Sequence, residues 1–454
     1  MLVAMFAMVG FNIVDTFYVG QLGTEELGAM GFMLAVIMAV NSVNVGIGMG
    51  TMAVVSRAIG QGDARLSRRL TTDAILLALL FALVIVSVGL TSITALFTLL
   101  GAEGAVLEHI HSYMTVWYLG LPLIVCPMVG NNGFRAAGDT KTPATIMISA
   151  LTVNAVLDPL FIFGIGPFPA RGLQGAAIAT VISQGIALVV GFTLLRRRGL
   201  ITFERFKLFD LFPSWRRILS IAVPAAVTQL IIPVSAGIVT VIVATFGVAA
   251  VAGFGVATRL EMFSVMVIMA LGSALVPFVG QNWGAGDKAR IGRAVRVAIT
   301  IASAWGAMVW LLSMAVGETV AAAFNSDPTV IRTVTSYMAI VFPSYVALGI
   351  FTTVTNSLNA LHRPMSSMVL SLLRMLVLYV PLAYAGSALL GLDGVWWAAL
   401  SANVVSGVFA IGWFRHVFAR MEAGVPVSSL PTEDHAEQSL PESASGLAPV
   451  RPPA

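Results

Sequence analysis

The chain has 454 residues, of which 58% are apolar and only 10% are charged, and its formal net charge is +4. Charged residues make up roughly a quarter of an ordinary soluble domain, so this composition excludes a soluble globular protein and places the chain in a lipid bilayer. The basic residues are distributed among loops and form no patch interleaved with aromatic residues. We therefore expect no nucleic-acid partner.

Long apolar stretches dominate the sequence from its beginning. A helix that crosses the hydrocarbon core of a bilayer needs roughly 20 such residues. Twelve stretches meet this requirement and predict an all-α polytopic membrane protein; we number them span 1 to span 12. Their predicted bounds are 2–21, 29–55, 72–99, 108–131, 144–165, 173–195, 218–246, 250–280, 296–323, 331–357, 366–390 and 394–418.

The sequence is internally duplicated. Because the shared motifs follow spans 2 and 8, the two copies are six spans apart and enter the membrane in the same direction. This predicts two parallel six-helix lobes that face each other across a central cavity. The residues that recur 224 positions later include Gly31 and Gly255, Gly48 and Gly272, Gly60 and Gly284, Gly62 and Gly286, Asp63 and Asp287, Arg69 and Arg293, and the runs 112–114 and 336–338.

The duplication and changes in composition divide the chain into four parts. We predict an N-terminal lobe at 1–198, a linker at 199–217, a C-terminal lobe at 218–420 and a tail at 421–454. Basic and aromatic residues alternate in the linker, which predicts a short amphipathic helix on the cytoplasmic leaflet, with a plain linker as the alternative. The tail is rich in Pro, Ser, Glu and Ala, which is typical of a disordered segment.

The loop charges predict the topology. Lys and Arg residues follow every even-numbered span, whereas the loops after odd-numbered spans are mainly acidic. By the positive-inside rule, both termini are cytoplasmic in a multi-pass protein of the plasma (inner) membrane, which we expect to be monomeric. Pro224 opens span 7, and its counterpart at the shared offset falls before Met1, which predicts that span 1 begins upstream of Met1.

Six short motifs occur in order along the chain. Most lie at or near the end of a span, where a loop begins or a helix turns. They are NIVDTFYVGQLG at 12–23, GQGDARLSRR at 60–69, RAAGDTKTP at 135–143, NAVLDPLFIFG at 154–164, GLQGAAIAT at 172–180 and VGQNWGAGD at 279–287.

With these motifs, the chain resembles the multidrug and toxic compound extrusion (MATE) transporters, and among them the DinF-like branch. The resemblance covers nearly all of residues 1–420. It implies a V-shaped pair of six-helix bundles that exports cationic or amphipathic compounds in exchange for inward H⁺ or Na⁺, without a cofactor. The NorM-like branch has acidic residues in helices 7 and 10, but 218–246 and 333–357 contain none.

The resemblance also implies a set of ion-coupling residues in the N-terminal lobe. DinF-like members carry an acidic residue in helix 1 and an N-x-x-x-D motif in helix 5, with polar neighbours on helices 4 and 6. A Na⁺ ion, if it is the coupling ion, would be held by the first helix and the helix 5 motif. The matching positions are Asp15, Asn154 and Asp158, with Tyr113, Asn131 and Thr180 as the neighbours.

Two carboxylates at membrane depth fit this role chemically. A buried aspartate is costly unless it is protonated, paired or exposed to a wet cavity. Asp15 and Asp158 together can hold a proton when the cavity is occluded and release it when the cavity opens. Their carboxylate oxygens can also bind Na⁺. The structural alternatives are an interfacial helix cap for Asp15 and a helix kink with Pro159 for Asp158.

The neighbouring polar residues have structural alternatives as well. Tyr113 has a twin at Tyr337, and both tyrosines suit interfacial anchoring as well as ion coupling. Asn131 suits a hydrogen bond between helices without any ligand.

Span 8 carries Arg259 and Glu261, and span 11 carries Arg374. Residues two apart on a helix point in different directions, so we expect Glu261 to pair with Arg374 rather than with Arg259. This pair serves either as a structural salt bridge or as a contact for substrate. Met262 and Met266 suit an adaptable substrate wall, with ordinary helix packing as the alternative.

These observations together predict a secondary active antiporter that works by alternating access. A flippase for lipid-linked oligosaccharides is the alternative, but it favours a cavity lined by many basic residues, and the spans contain few. An enzyme needs a nucleophile or metal constellation, and no such cluster occurs at ligand spacing in the spans. We therefore predict that the protein is not an enzyme.

Overall fold

The computed structural model describes residues 17–202, 211–324 and 326–422. Eleven helices of the described residues are long and apolar enough to cross a membrane, as predicted for spans 2 to 12. Of span 1, residues 17–20 are described and are helical, while Asp15 lies outside the described residues. The helices of spans 2 to 9 are Thr24–Gly60, Ala64–Leu99, Gly104–Ala136, Lys141–Phe163, Gly172–Arg197, Leu211–Ala244, Val248–Gly284 and Lys288–Phe324.

Spans 10 and 11 depart from regular α-helix, whereas span 12 is the single helix Leu392–Glu422. In span 10, Pro343 has no N–H to donate, and one 3₁₀ turn forms around it. In span 11, a π-helical segment contains Arg374; π-helical turns often mark functional sites. The consecutive segments are Pro328–Val341, Phe342–Ser344 and Tyr345–Ala360 in span 10, and Pro364–Leu372, Leu373–Tyr379 and Val380–Leu390 in span 11.

The chain up to Ile411 forms one compact unit that contains both lobes. Of the second unit, the structure describes residues 412–422, which complete the helix of span 12. Residues 423–454, most of the predicted tail, lie outside the described part of the chain.

The C-terminal lobe begins earlier than the sequence predicted. Residues 203–210 of the predicted linker are not described, but the helix of span 7 already begins at Leu211. Pro213 is tolerated there because it lies in the first turn, where its missing N–H has no helical partner. The indole N–H of Trp215 donates to the carbonyl oxygen of Asp73 in span 3 at 2.9 Å. Residues 211–217 are therefore the first two turns of span 7.

The glycine-aspartate loop motif forms the same turn in both lobes. Gly62 has φ 77° and Gly286 has φ 75°, a left-handed conformation that favours glycine. The next residue caps the following helix: Asp63 accepts from the backbone N–H of Leu66 at 2.8 Å, and Asp287 accepts from that of Arg290 at 2.9 Å. The motif is thus a helix-terminating and helix-starting turn, and it confirms the repeat.

Contacts inside the lobes repeat as well. The side-chain amide of Asn132 in span 4 lies against Gly48 in span 2, and Asn356 in span 10 lies against Gly272 in span 8. Each amide donates to the carbonyl oxygen one turn earlier in its own helix, at 2.9 Å in both cases. The two lobes therefore share helix contacts as well as helix order.

The two lobes meet where the basic loops follow spans 2 and 8, which we call the basic end. Gly60 lies against the backbone of Gln281, and Gly284 lies against the backbone of Arg57, so neither glycine has room for a side chain. The two contacts are related by the 224-residue repeat. Spans 2 and 8 therefore cross each other here with local twofold symmetry.

Spans 2 and 8 diverge away from the basic end. On the faces that meet at the basic end, Gly31 and Gly255 have no atom of the described residues within 4 Å of the position where a side chain would begin. Ala35 and Arg259, on the same faces and one turn nearer the basic end, are exposed. The surface between the lobes is therefore a cleft that is closed at the basic end and open at the other.

One ion pair fixes the loop between spans 4 and 5. Arg198, at the end of span 6, donates to Asp139, which also accepts the hydroxyl of Thr142 at 2.6 Å and its backbone N–H at 3.0 Å. Partial burial alone would raise the pKa of Asp139, but the hydrogen bonds from Thr142 and the charge of Arg198 outweigh it and lower the pKa.

Candidate functional site

The carboxylate of span 5 is buried beside an asparagine. Asn154 and Asp158 are one helical turn apart and share a face of the helix Lys141–Phe163. They are 4% and 0% exposed, and the side-chain amide of Asn154 donates to Asp158 Oδ1 at 2.8 Å. Pro159 follows directly and cannot donate to the carbonyl of Ala155, which loosens the helix at this point. The predicted pair thus forms inside the N-terminal lobe.

The other predicted coupling residues lie on the neighbouring helices of the same lobe. Tyr113 in span 4 is buried within the lobe core, and Thr180 in span 6 is half-buried. Asn131, near the basic end of span 4, is half-buried beside Leu188 and Phe192 of span 6. The structure therefore brings Asn154 and Asp158 into direct contact, and the ion-coupling role of the set stays a prediction.

The C-terminal lobe contains a polar network among four spans. Glu261 of span 8 accepts a hydrogen bond from the hydroxyl of Tyr337 in span 10. Arg374 of span 11 donates to Asn403 of span 12 at 3.0 Å, and its guanidinium carbon lies 4.8 Å from the ring centroid of Phe351. Such an arginine is held by both a hydrogen bond and a cation–π contact.

The predicted pairing of Glu261 with Arg374 takes a different form. The two charges attract each other electrostatically. In the described part of the chain, however, each has its own hydrogen-bond partner, Tyr337 for the carboxylate and Asn403 for the guanidinium. Among the described residues the pair is therefore an interaction through space within a network, without a direct salt bridge.

Further polar groups are buried around this network. Tyr345 of span 10 and Tyr379 of span 11 lie near Glu261. Tyr345 and Trp396 are both 0% exposed, and among the described residues neither the Tyr345 hydroxyl nor the Trp396 indole N–H has a hydrogen-bond partner. A buried polar group without a hydrogen-bond partner costs about 1–3 kcal/mol of stability. A bound water or ion that paired with these groups would remove that cost.

Sequence reasoning missed most of this network. The repeat identified Tyr337 as the twin of Tyr113, but it did not indicate that Tyr337 contacts the carboxylate of Glu261 in span 8. Tyr345, Tyr379 and Asn403 were not considered. The available signal was that polar residues recur in the apolar spans 10 to 12.

Span 8 presents different residues to its two sides. Arg259 is exposed, whereas Glu261 points into the C-terminal lobe toward Tyr337. Met262 is 54% exposed and Met266 is 3% exposed, so Met266 contributes to helix packing here and Met262 is open to contact. The expectation that Arg259 and Glu261 point in different directions is confirmed.

The described residues form membrane-length helices in two repeated lobes, with buried ionisable groups in each, which is the architecture of a polytopic transporter. A family model, MatE, matches residues 1–160 and 224–385, one segment in each lobe and together more than half of the chain. The chain belongs to the MATE family, whose members are transporters and not enzymes.

Individual relatives agree along almost the whole chain. A protein named FAD transporter from Shewanella oneidensis is 38% identical over 90% of both chains. The multidrug export protein MepA of Staphylococcus haemolyticus is 25% identical, again over 90% of both chains. The crystal structure of the Vibrio cholerae MATE transporter VcmN in its bent form superimposes with a TM-score of 0.88 and 28% identity, covering 94% of this chain and 96% of that one.

Proposed function

We propose that this protein is a secondary active antiporter of the DinF-like branch, which exports small organic compounds in exchange for inward H⁺ or Na⁺. The observation that carries the proposal is the buried contact between Asn154 and Asp158. A carboxylate at this depth is stabilised by binding a proton or a hard cation, and the amide holds it in position. Asp15 of span 1 would be the second carboxylate of the coupling site.

We further propose that the basic end faces the cytoplasm of a bacterial cell, with both termini cytoplasmic in the inner membrane. The loop charges support this orientation. In that orientation, the contact of Gly60 with Gln281 closes the cytoplasmic side, and the cleft between the lobes is open to the outside. Transport then requires the two lobes to separate at the basic end. We expect a monomer to carry out this cycle.

Two classes of substrate have support. Cationic or amphipathic drugs are supported by relatives named multidrug export proteins. FAD, or a related flavin nucleotide, is supported by the 38% identical FAD transporter and by the exposed Arg259 in the cleft. A flippase for lipid-linked oligosaccharides stays in third place, since few basic residues lie at membrane depth.

Efflux from everted membrane vesicles tests the coupling. A cationic dye and FAD are loaded in separate experiments, and the pH gradient and the Na⁺ gradient are collapsed separately, in the wild type and in Asp15→Asn. We expect one of the two collapses to stop efflux in the wild type and Asp15→Asn to be inactive throughout. Efflux that survives both collapses, or that is normal in Asp15→Asn, would reject the antiport proposal.

A further inference from the structure

We propose that Arg259 is the anion-recognition residue of the substrate cleft, and that it binds the phosphate of an organic molecule that also has a flat aromatic ring. This inference rests on the proposed export function and specifies its substrate class. Three features of Arg259 support it: the direction of its side chain, its position along span 8, and the apolar residues around it.

The direction of Arg259 follows from the contact between the lobes. About seven helical turns separate Arg259 from Gly284, so both lie on one face of the helix Val248–Gly284. Gly284 lies against Arg57 of the other lobe, which shows that this face meets the N-terminal lobe. Glu261, roughly 200° further around the helix, points the opposite way, into its own lobe. Arg259 therefore faces the cleft.

Arg259 lies deep in the membrane span. It is eleven residues, or about 16 Å along the axis, from the first residue of its helix, which places it inside the apolar segment that crosses the membrane and away from the helix end. Among the described residues, no carboxylate lies within ion-pair distance of its guanidinium. An arginine at this depth costs several kcal/mol unless it faces a wet cavity or an anionic ligand. Because Arg259 is exposed on the cleft side, it faces a cavity that water and an anionic ligand can enter.

The surroundings of Arg259 are apolar. Met262 and Phe263, one turn further along span 8, are 54% and 41% exposed. Leu34 and Met38, on either side of the repeat position of Arg259 in span 2, are 51% and 45% exposed. Thioether and aromatic side chains adapt to flat ring systems and contact them favourably. The cleft thus offers one cation on span 8 together with exposed apolar side chains on spans 2 and 8.

This combination selects one chemical class. The planar guanidinium forms paired hydrogen bonds with phosphate oxygens, and its charge is weakly screened beside apolar side chains. A flat ring gains from contact with the methionine and phenylalanine side chains, while a cation would be repelled by Arg259. The fitting ligand is an aromatic organophosphate, of which a flavin dinucleotide is an example. A lipid headgroup offers the same phosphate without the ring.

Equilibrium binding tests the proposal without any ion gradient. The purified protein is placed in nanodiscs of zwitterionic phosphatidylcholine, and binding of FAD and of riboflavin, which has the same ring without phosphate, is followed by flavin fluorescence. The variants are Arg259→Gln and Arg259→Lys. Arg332→Gln, an exposed arginine at the start of span 10, is the matched control.

We expect Arg259→Gln to weaken FAD binding about tenfold or more and to leave riboflavin binding within about twofold, with Arg259→Lys intermediate and the control unchanged. Retained riboflavin binding also shows that the variant is folded. The proposal is overturned if the wild type does not bind FAD, if Arg259→Gln binds FAD normally, or if both ligands are lost equally. It is also overturned if Arg259→Gln changes FAD binding only in nanodiscs with anionic phosphatidylglycerol, since Arg259 would then bind lipid.

This test is independent of the coupling proposal. A protein that binds FAD through Arg259 but exports it without an ion gradient would retain the inference and reject antiport. A protein that couples export to ions but binds FAD and riboflavin alike would do the reverse.

Discussion

The two lobes share a fold but hold their buried carboxylates differently. Asp158 in the first lobe accepts from a neutral amide, that of Asn154. Glu261 in the second lobe accepts from Tyr337 and lies within electrostatic reach of the cationic Arg374. An ion that binds Glu261 must compete with that positive charge, whereas the amide of Asn154 adds no net charge to its site. From this comparison we propose that the first lobe couples ions and that the polar network of the second lobe stabilises its helices.

The largest expected effect is at Asp158. We expect Asp158→Asn to abolish gradient-driven efflux, because an amide cannot take up a proton and binds a cation weakly. The protein should stay folded, since asparagine has the same shape and keeps a hydrogen bond to Asn154. The measurement is efflux from everted vesicles, with thermal unfolding in detergent as the check on folding.

The matched variant in the other lobe is Glu261→Gln. We expect it to retain the dependence of efflux on the ion gradient while its unfolding temperature falls. Full activity of Asp158→Asn, or loss of gradient dependence in Glu261→Gln, would contradict the proposal that the first lobe and not the second couples ions.

The second largest effect is expected from substitutions in the symmetric contact between spans 2 and 8 at the basic end. A side chain at position 60 or 284 cannot fit while spans 2 and 8 cross, so Gly60→Leu and Gly284→Leu should each hold this end open. We expect both variants to reduce transport by about tenfold or more, the loss expected when over 1.4 kcal/mol is lost from one of two alternating states. Transport assays in vesicles measure the loss.

Gly412→Leu is the control for that pair, because Gly412 is exposed and has open space around it in span 12, outside the contact of spans 2 and 8. It should transport at nearly the wild-type rate. Equal loss in all three variants would show a general effect of leucine in a membrane helix. A loss in only one of Gly60→Leu and Gly284→Leu would show that the contact is not used symmetrically.

A double-mutant cycle measures the network of the second lobe. We expect Glu261→Gln and Tyr337→Phe to be coupled by about 1–3 kcal/mol in unfolding free energy, since they share a hydrogen bond to a charged group. Glu261→Gln and Arg374→Ala should also be coupled, by less, because their interaction acts through space. If the effects of Glu261→Gln and Arg374→Ala simply added, the attraction between these residues would contribute nothing to stability.

The smallest effect concerns the loop that holds Asp139 outside the membrane. The pKa of Asp139 is lowered in the folded protein, so its carboxylate contributes stability above the ordinary pKa near 3.9 and loses it as the pH falls through the folded pKa. We expect Asp139→Asn to cost about 1 kcal/mol or less, because the pair with Arg198 is partly exposed.

Unfolding of the wild type and of Asp139→Asn is compared at neutral pH and near pH 3. The difference between the two proteins should shrink as the pH falls. A difference that grows at low pH would mean that the ion pair with Arg198 does not stabilise the loop.

The sequence predicted the features that depend on composition and repetition. Spans 2 to 12, the two parallel lobes and the turn at Gly62 and Asp63 follow from apolar length and from the constant offset. Asn154 and Asp158 were found because they match the helix 5 motif of the family that the chain resembles, and their four-residue spacing places them on one helix face. These properties either depend on residues close in the sequence or are repeated in both lobes.

The features that the sequence did not predict depend on contacts between distant spans. Tyr337 meets Glu261 only because spans 8 and 10 are adjacent, and a hydrogen bond over 76 positions has no local signal. Residues 211–217 belong to the helix of span 7, and there Trp215 contacts span 3 through a hydrogen bond over 142 positions, which also has no local signal. Hydrogen-bond partners and helix bounds that depend on such tertiary contacts cannot be predicted from the composition of the sequence alone.

Ion release on substrate binding tests the central assignment most directly. Purified wild type, Asp158→Asn and Glu261→Gln are mixed with a transported compound, and released H⁺ or Na⁺ is measured with a pH indicator and with radioactive Na⁺. The account predicts release by the wild type and by Glu261→Gln and none by Asp158→Asn. Release by Asp158→Asn, together with its loss in Glu261→Gln, would place the coupling site in the second lobe and contradict the account.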